Sequence, residues 1–208
     1  MLNELLKRYP TLTACVADIE AARDAIIASY EAGGKVLLCG NGGSASDSDH
    51  IVGELMKGFL KKRPISPESR TAMKAASPTL TDDLLAKLQV GLPAVSLPSI
   101  AGLNSAFCND VDPELIYAQS VLGLAQTGDI LIALSTSGNA KNVAHAVAVA
   151  KALGVIVIGL TGEGGGTLAR EADIAIRVPE RETFKVQELH LPVYHYLCAA
   201  VEAHFFEA

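Results

Sequence analysis

The sequence lacks tryptophan and contains only five Tyr and five Phe residues. Proteins that bind single-stranded nucleic acid stack bases on such aromatic side chains, so this class is not expected. Basic residues are also in the minority, with 17 Lys and Arg against 23 Asp and Glu. The net charge of −6 argues against a nucleic-acid surface, and the basic run at 61–63 is interpreted as a solvated helix end.

Long apolar stretches are absent as well. No uninterrupted hydrophobic run reaches the roughly 18 residues of a membrane span. The first ten residues carry charges within their apolar pattern, unlike a signal peptide. The four cysteines are scattered and form no CxxC pair, so they predict small core residues in a reducing compartment rather than a zinc knuckle. We therefore expect a cytoplasmic protein.

Hydrophobic residues make up half of the 208 positions, and charged residues make up 19%. This balance suits one α/β domain with a sizeable core, so we predict a single domain over 1–208. Helical periodicity predicts an N-terminal helix over 1–33. The proline-containing stretch over 61–92 predicts a surface excursion of loop and one short helix, which Thr81 would cap.

Short apolar segments alternate with segments of helical periodicity through the rest of the chain. Strands are predicted at 35–40, 94–97, 129–135, 155–162 and 174–179, and helices at 45–60, 99–109, 113–125, 141–153 and 183–206, the last kinked at Pro192. This alternation predicts a parallel sheet with helices on both faces. Ligands of such sheets bind beyond the carboxyl ends of the strands, which indicates the loops at 40–44, 135–139 and 161–166.

The first two of these loops have the residues of an anion site. In GNGGS (40–44), glycines allow close backbone approach to an anion or sugar, and Ser44 can cap the next helix. In STSGN (135–139), the hydroxyls of Ser135, Thr136 and Ser137 would form a neutral phosphate cradle beside a helix N-terminus. An ordinary tight turn and a Ser137 N-cap are the alternatives. The occurrence of both loops at strand ends favours phosphate binding.

Two helices carry candidate chemical groups. His50 and Glu54 are four residues apart, so they share one helix face. They could ligate a metal, transfer protons, or form an ordinary surface pair. Gln187 and His195 fall about 80° apart around the last helix, near enough to reach one pocket.

Three further polar residues on these helices, Asp47, Asp49 and His190, are candidates for structural roles. Asp47 and Asp49 are predicted to be partners of the helix N-terminal dipole rather than ligands. His190 lies between Gln187 and His195 and could join them, or it could be a packed or an exposed side chain with satisfied hydrogen bonds.

Together these motifs resemble the sugar isomerase (SIS) domain family. The resemblance is carried by GNGGSASDSDHIVGE (40–54), CND (108–110), STSG (135–138), LTG (160–162) and the QExHxxxxH ending (187–195). Among SIS proteins it is greatest to the phosphoheptose isomerases, over nearly the whole chain apart from 61–92. It implies an α/β fold with a flavodoxin-like five-stranded parallel sheet flanked by helices. It also implies a homotetramer with the N-terminal helix packed between subunits and with sites shared between them.

The resemblance further implies an isomerase that converts sedoheptulose 7-phosphate into a glycero-manno-heptose 7-phosphate through an enediol. Glu54 is the implied base and His195 the implied acid, and zinc would be bound by His50, Glu54, Gln187 and His195. The loops and the resemblance together predict ten substrate-binding residues: Asn41, Gly42, Gly43, Ser44, Asn109, Asp110, Ser135, Thr136, Ser137 and Gln187.

Three departures from the family pattern leave the substrate open to another phosphosugar. Ala140 stands where a Ser is expected three residues after Ser137, Pro98 and Ile100 stand near the place of a TD pair, and the 61–92 excursion is longer than the family loop. The alternative function is a non-catalytic SIS protein that senses phosphosugars or binds proteins in replication initiation. The replication type lacks the residues retained here as Glu54 and His195, which favours an enzyme.

Overall fold

Five short strands form one parallel sheet in the computed structural model, which describes residues 1–206. The strands are β1 (Val36–Cys39), β2 (Ala94–Ser96), β3 (Ile130–Leu134), β4 (Ile156–Thr161) and β5 (Ile174–Arg177). Their order in the sheet is β2-β1-β3-β4-β5, and all neighbours are parallel. This is the strand order of flavodoxin-like folds, so the predicted fold class is confirmed.

Ten α-helices connect and flank the strands within residues 1–206. They are α1 (Leu2–Arg8), α2 (Val16–Glu31), α3 (Gly43–Met56), α4 (Pro67–Ala76), α5 (Asp82–Lys87), α6 (Ala101–Asp110), α7 (Ile116–Leu124), α8 (Lys141–Ala152), α9 (Gly166–Glu171) and α10 (Thr183–Phe205). The apolar side chains of α2, α3 and α10 pack on one face of the sheet, and those of α7 and α8 pack on the other. In this part of the chain no helix has the length and apolar character needed to cross a bilayer.

The segment before the sheet is helical, as predicted, but it is divided into three pieces. α1 ends at Arg8, a 3₁₀ helix covers Pro10–Cys15, and α2 begins at Val16. A proline ring excludes the preceding residue from helical conformation, and Tyr9 accordingly has φ −130° and ψ 72°. The break therefore follows from Pro10.

The stretch at 61–92 contains two helices instead of the one predicted. Thr81 caps α5 as expected. The prolines predict a loop where the structure has α4, but Pro67 occupies the first turn, where its missing N–H has no intrahelical partner to lose. Ser66 caps this helix by accepting a hydrogen bond from Ser69 N at 3.1 Å. The short α9 also forms where no helix is predicted.

A buried ion pair joins this stretch to α10. The side chains of Arg63 and Glu202 have no solvent exposure, and Arg63 Nε donates to Glu202 Oε1 at 2.8 Å. Glu202 also accepts hydrogen bonds from the backbone N–H groups of Phe59 and Leu60, both at 2.7 Å. Burial raises the pKa of Glu202, but these N–H groups and the guanidinium outweigh burial, so the net pKa is lowered. The interpretation of Arg63 as part of a solvated helix end is wrong.

The same guanidinium closes the end of α3. Arg63 Nη1 donates to the carbonyl oxygen of Leu55 at 2.6 Å, and Nη2 donates to that of Glu54 at 3.1 Å. These are carbonyls of the last helical turn, which have no intrahelical donor. One buried pair thus fixes the C-terminal turn of α3 against α10.

Substituting Glu202→Gln should destabilise the protein by about 3–5 kcal/mol, because it leaves Arg63 as an unpaired buried charge. The free energy of unfolding would be measured in urea at one fixed protein concentration. Asp83→Asn is the matched control, since the Asp83–Lys87 pair is 80% and 73% exposed and should contribute almost nothing. Equal unfolding curves for the two variants would contradict the assigned role of the buried pair.

Candidate active site

The three loops singled out at the carboxyl edge of the sheet lie against one another. The amides of Asn41 and Asn142 exchange two hydrogen bonds, each of 2.9 Å, which join the loop after β1 to the start of α8. Gly162 N donates to Thr136 O at 3.0 Å and joins the loops after β3 and β4. The three loops therefore form one continuous edge.

Glycine is required where the last two loops touch. Gly138 has a φ of +68°, and a Cβ built there would lie 2.0 Å from the carbonyl oxygen of Gly165. No side chain larger than hydrogen can be accommodated without moving the backbone. The STSGN loop is therefore held at its position by direct backbone contact with the next loop.

Neither serine predicted as a helix cap acts as one. α3 begins at Gly43, and the buried Ser44 makes no capping hydrogen bond. Gly42, with a φ of +58°, makes the turn that starts this helix two residues earlier than predicted. Ser137 Oγ accepts a hydrogen bond from Asn139 N at 3.2 Å within the loop, and α8 begins only at Lys141. The three hydroxyl residues 135–137 run from buried to exposed along the loop.

Three of the predicted chemical residues meet where α3 packs against α10. His50 Nε2 lies 3.3 Å from Glu54 Oε1 and 3.5 Å from His195 Nε2. The Glu54 side chain is 14% exposed and that of His50 is 42% exposed, so the pair is more enclosed than an ordinary surface pair. Burial, followed by the charge of His50, lowers the pKa of His195. His195 is thus favoured in its neutral form, which has a free nitrogen lone pair.

Lys57 adds a positive charge to this cluster that the spacing argument missed. Its Nζ lies 3.0 Å from Glu54 Oε2, on the oxygen that does not face His50. The two oxygens of Glu54 therefore have different neighbours, one an imidazole and the other an ammonium group.

The remaining predicted site residues lie outside this cluster. Gln187 packs against the first turn of α3, where a Cβ on Gly43 would come within 2.4 Å of its Nε2. Asn109 and Asp110 are exposed at the end of α6 and bond to each other at 2.7 Å. Their assignments to substrate stay predictions.

The donor chemistry of the cluster is compatible with zinc. Across residues 1–206, no three His, Cys, Asp or Glu side chains are arranged to hold a metal ion. Two ligands about 2.1 Å from a tetrahedral zinc ion lie about 3.4 Å apart. The two distances from His50 Nε2, 3.3 and 3.5 Å, match that separation. The spacing of a zinc site is therefore met by two pairs of atoms, His50 with Glu54 and His50 with His195.

Tyr194 contacts the cluster at the ring nitrogen of His50 that does not face Glu54, and Asp47 contacts Tyr194. The Tyr194 hydroxyl lies 3.1 Å from His50 Nδ1 and donates to Asp47 Oδ1 at 3.1 Å. Burial raises the pKa of Tyr194 and of Asp47. Tyr194 follows Gln187 by seven residues and so shares its helix face, a signal that could have identified it.

The two aspartates predicted as dipole partners have other partners. No acidic residue lies in the first turn of α3, where the dipole acts most strongly. Asp47 contacts Tyr194, and Asp49 Oδ1 accepts hydrogen bonds from the hydroxyls of Ser96 and Ser99. The dipole interpretation is therefore wrong for both.

Comparison with known proteins places this arrangement in a family. Two family models, each described as a SIS domain, match residues 3–90 and 103–200. A phosphoheptose isomerase from Rhodospirillum rubrum is 38% identical over 188 residues, which cover 90% of this chain and 86% of that protein. The chain belongs to the phosphoheptose isomerase family of SIS-domain proteins.

Two further comparisons agree with this family. The phosphoheptose isomerase of Mycobacterium tuberculosis is 39% identical over 191 residues, covering 90% of this chain and 84% of that protein. The structure of a phosphoheptose isomerase from Francisella tularensis matches with a TM-score of 0.77 at 30% identity, covering 93% of this chain and 90% of that one. The phosphoheptose isomerase fold thus extends over nearly the whole chain.

His190 does not join the cluster in this phosphoheptose isomerase family member. It is fully buried, and neither ring nitrogen has a hydrogen-bond partner among the described residues. Burial lowers the pKa of His190 to about 4. The packed-core alternative for His190 therefore agrees with the structure.

The buried neutral imidazole should make stability depend on pH. Its folded pKa of about 4 lies below the ordinary value of about 6.5, so its contribution is present above pH 6.5 and lost as the pH falls toward 4. We expect His190→Leu to lose less stability than wild type across this window, by up to about 3 kcal/mol. Urea unfolding at a series of pH values measures the difference, and parallel curves would refute it.

Proposed function

We propose that the protein is an isomerase that converts sedoheptulose 7-phosphate into D-glycero-D-manno-heptose 7-phosphate. The observation that carries the proposal is the meeting of His50, Glu54 and His195 at 3.3 and 3.5 Å in a chain of this family. Relatives at 38 and 39% identity bear the name of this activity, which supports the choice of substrate.

The proposed reaction moves a proton between adjacent carbons of the sugar through an enediol. It requires a base near the carbons and an acid near the oxygens. Glu54 is the proposed base, and Lys57 Nζ lies 3.0 Å from its Oε2 atom. His195, on the facing helix, is the proposed acid for the oxygens. Since its pKa is lowered, its protonated form gives up a proton more readily than that of an exposed histidine.

We further propose that His50, Glu54, Gln187 and His195 hold zinc. A bound zinc ion would polarise the sugar carbonyl and stabilise negative charge on the enediolate. A zinc-bound carboxylate oxygen is a weaker base than a free one. The two Glu54 oxygens have different neighbours, His50 at Oε1 and Lys57 at Oε2. This supports an arrangement in which Oε1 binds zinc and Oε2 acts as the base.

The phosphate is assigned to the loop of Ser135, Thr136 and Ser137, because this loop presents hydroxyl groups next to the N-terminus of α8. Ala140 caps that helix without a side-chain hydrogen bond, so the cradle has one hydroxyl fewer than the family pattern. Sugar hydroxyls are assigned to Asn41, Gly42 and Gly43, with Ser44 in the same turn, and to Asn109 and Asp110. An isomerase for another phosphosugar is the alternative that these departures support.

The proposed assembly is a cytoplasmic homotetramer. An apolar groove beside His195, lined by α1, α10 and the exposed Leu60, supports contact between copies at the site. All four cysteines are free thiols, which supports a reducing compartment.

Purified protein should convert sedoheptulose 7-phosphate in the presence of zinc, with the product followed by NMR. Glu54→Gln should lower the rate by at least about 10²-fold, because removing a positioned base costs at least that much. Glu188→Gln, which changes an exposed carboxylate on α10, is the matched control. Binding of the sugar phosphate without turnover would eliminate this reaction and leave another substrate or a non-catalytic protein.

The assembly should be sensitive to a charge in the groove. Leu60 is 68% exposed there, so Leu60→Asp should lower the molecular mass in light scattering from tetramer toward smaller species. Leu122→Asp is the control, because Leu122 is 58% exposed on α7, which packs on the opposite face of the sheet. A tetramer that persists in Leu60→Asp, or a wild-type monomer, would refute the proposed interface.

A further inference from the structure

We infer that Tyr194 is a positioning residue that fixes the tautomer of His50. Its hydroxyl donates a hydrogen bond to Asp47 and therefore accepts one from His50 Nδ1. Three groups on two helices form a chain of hydrogen bonds, with the Tyr194 hydroxyl in the middle. It lies 3.1 Å from His50 Nδ1 and 3.1 Å from Asp47 Oδ1. The consequence for metal binding rests on the proposed function, whereas the tautomer itself does not.

The phenol is held where it can reach only these partners. The Tyr194 side chain is 2% exposed. Its ring meets the rings of His50 and His195 edge to face, with centroids 5.5 and 5.1 Å away. Packing on these sides prevents the hydroxyl from turning toward bulk water, so its single hydrogen is committed within the chain.

The direction of the chain follows from counting donors. A phenol has one hydrogen to donate, and an ionised carboxylate can only accept. If Tyr194 donates to Asp47, its oxygen can only accept at the other contact. His50 must then carry its hydrogen on Nδ1 and donate it to Tyr194.

The opposite direction is disfavoured by Asp47 itself. Its Oδ2 atom is already buried without a hydrogen-bond partner among the described residues. If Tyr194 turned its hydrogen to His50 Nδ1, Oδ1 would also lose its donor, and a partly buried carboxylate would have neither oxygen paired. Leaving such a group unsatisfied costs more than a typical hydrogen bond contributes.

The consequence appears at the other ring nitrogen. With hydrogen on Nδ1, the Nε2 atom of neutral His50 has a bare lone pair. This atom faces Glu54 Oε1 and His195 Nε2, the proposed zinc ligands. Metal-binding histidines are oriented in the same manner by a hydrogen bond from the other ring nitrogen. Tyr194 and Asp47 therefore prepare His50 to act as a ligand before any metal arrives.

The tautomer can be measured directly by ¹⁵N NMR of the histidine rings in metal-free wild-type protein. A pH of about 8 keeps an ordinary histidine neutral. We expect the Nδ1–H form for His50, assigned by its disappearance in His50→Gln. A predominant Nε2–H form would overturn the inference. The measurement requires neither substrate nor turnover, so its outcome is independent of whether the proposed reaction is correct.

Tyr194→Phe removes the hydroxyl and keeps the ring. We expect His50 to lose its Nδ1–H preference and zinc affinity to fall about 10- to 100-fold, the usual effect of losing such a supporting contact. Competition with a chromogenic chelator measures the affinity. Tyr196→Phe is the matched control, since that hydroxyl accepts a hydrogen bond from Arg23 instead. Unchanged zinc affinity and an unchanged tautomer in folded Tyr194→Phe would overturn the inference.

A double variant separates positioning from packing. Asp47→Ala frees the Tyr194 hydroxyl to donate to His50 Nδ1, so we expect the Nε2–H tautomer and weaker zinc binding. Because both residues act through one hydrogen-bond chain, the loss in Asp47→Ala/Tyr194→Phe should be smaller than the summed losses of the single variants. Strictly additive losses would indicate independent packing effects and would contradict the proposed chain.

Discussion

The contact between α3 and α10 is the constraint on which the candidate site depends. α3 carries His50 and Glu54, and α10 carries His195, so the cluster exists only while these helices keep their relative position. Apolar packing holds their middle parts together, but apolar contacts alone are tolerant of sliding. The Arg63–Glu202 pair adds directional bonds at the end of α3, and one of them ends on the carbonyl of Glu54 itself. Burying two charges costs free energy, which the attraction within the pair and its hydrogen bonds offset. The result is a fixed position for the end of α3 beside the candidate site.

The hydrogen bond between Tyr194 and His50 fixes the orientation of the His50 ring within the frame formed by α3 and α10. The frame determines where the backbone of His50 lies, while the direction of its ring depends on Tyr194. Buried polar groups are favourable only when their hydrogen bonds are satisfied, and Tyr194 has a partner on each side. Asp47 retains one buried oxygen without a partner, which is the least satisfied point of the network. Such incomplete satisfaction close to reactive groups is common where function competes with stability.

Sequence patterns identified the sheet and its functional edge because both are encoded locally. Apolar strand segments and glycine-bearing turns are short, contiguous signals, and parallel topology brings the loops together without further information. The pairing of His50 with His195 joins residues 145 positions apart, and only the family resemblance predicted it. Patterns failed where a partner is distant in sequence. Arg63 looked like a solvated charge, because nothing nearby indicates Glu202, and Asp47 looked like a dipole partner, because Tyr194 lies on another helix.

The fold separates two tasks that a phosphosugar enzyme must perform. Loops at the sheet edge, held by backbone contacts such as that of Gly138 with Gly165, suit a phosphate, which is the same in every phosphosugar. The helix pair bears the groups proposed to act on carbon and oxygen, and in that proposal its distance from the loops sets which sugar length spans the two. Gln187 touches the first turn of α3 and so lies between these regions. Ala140 directly follows the 135–139 loop, and Pro98 and Ile100 follow the carboxyl end of β2, so none of the three departures lies on the helix pair. They therefore bear on how the substrate is held, while the groups assigned to proton transfer remain as the family pattern requires.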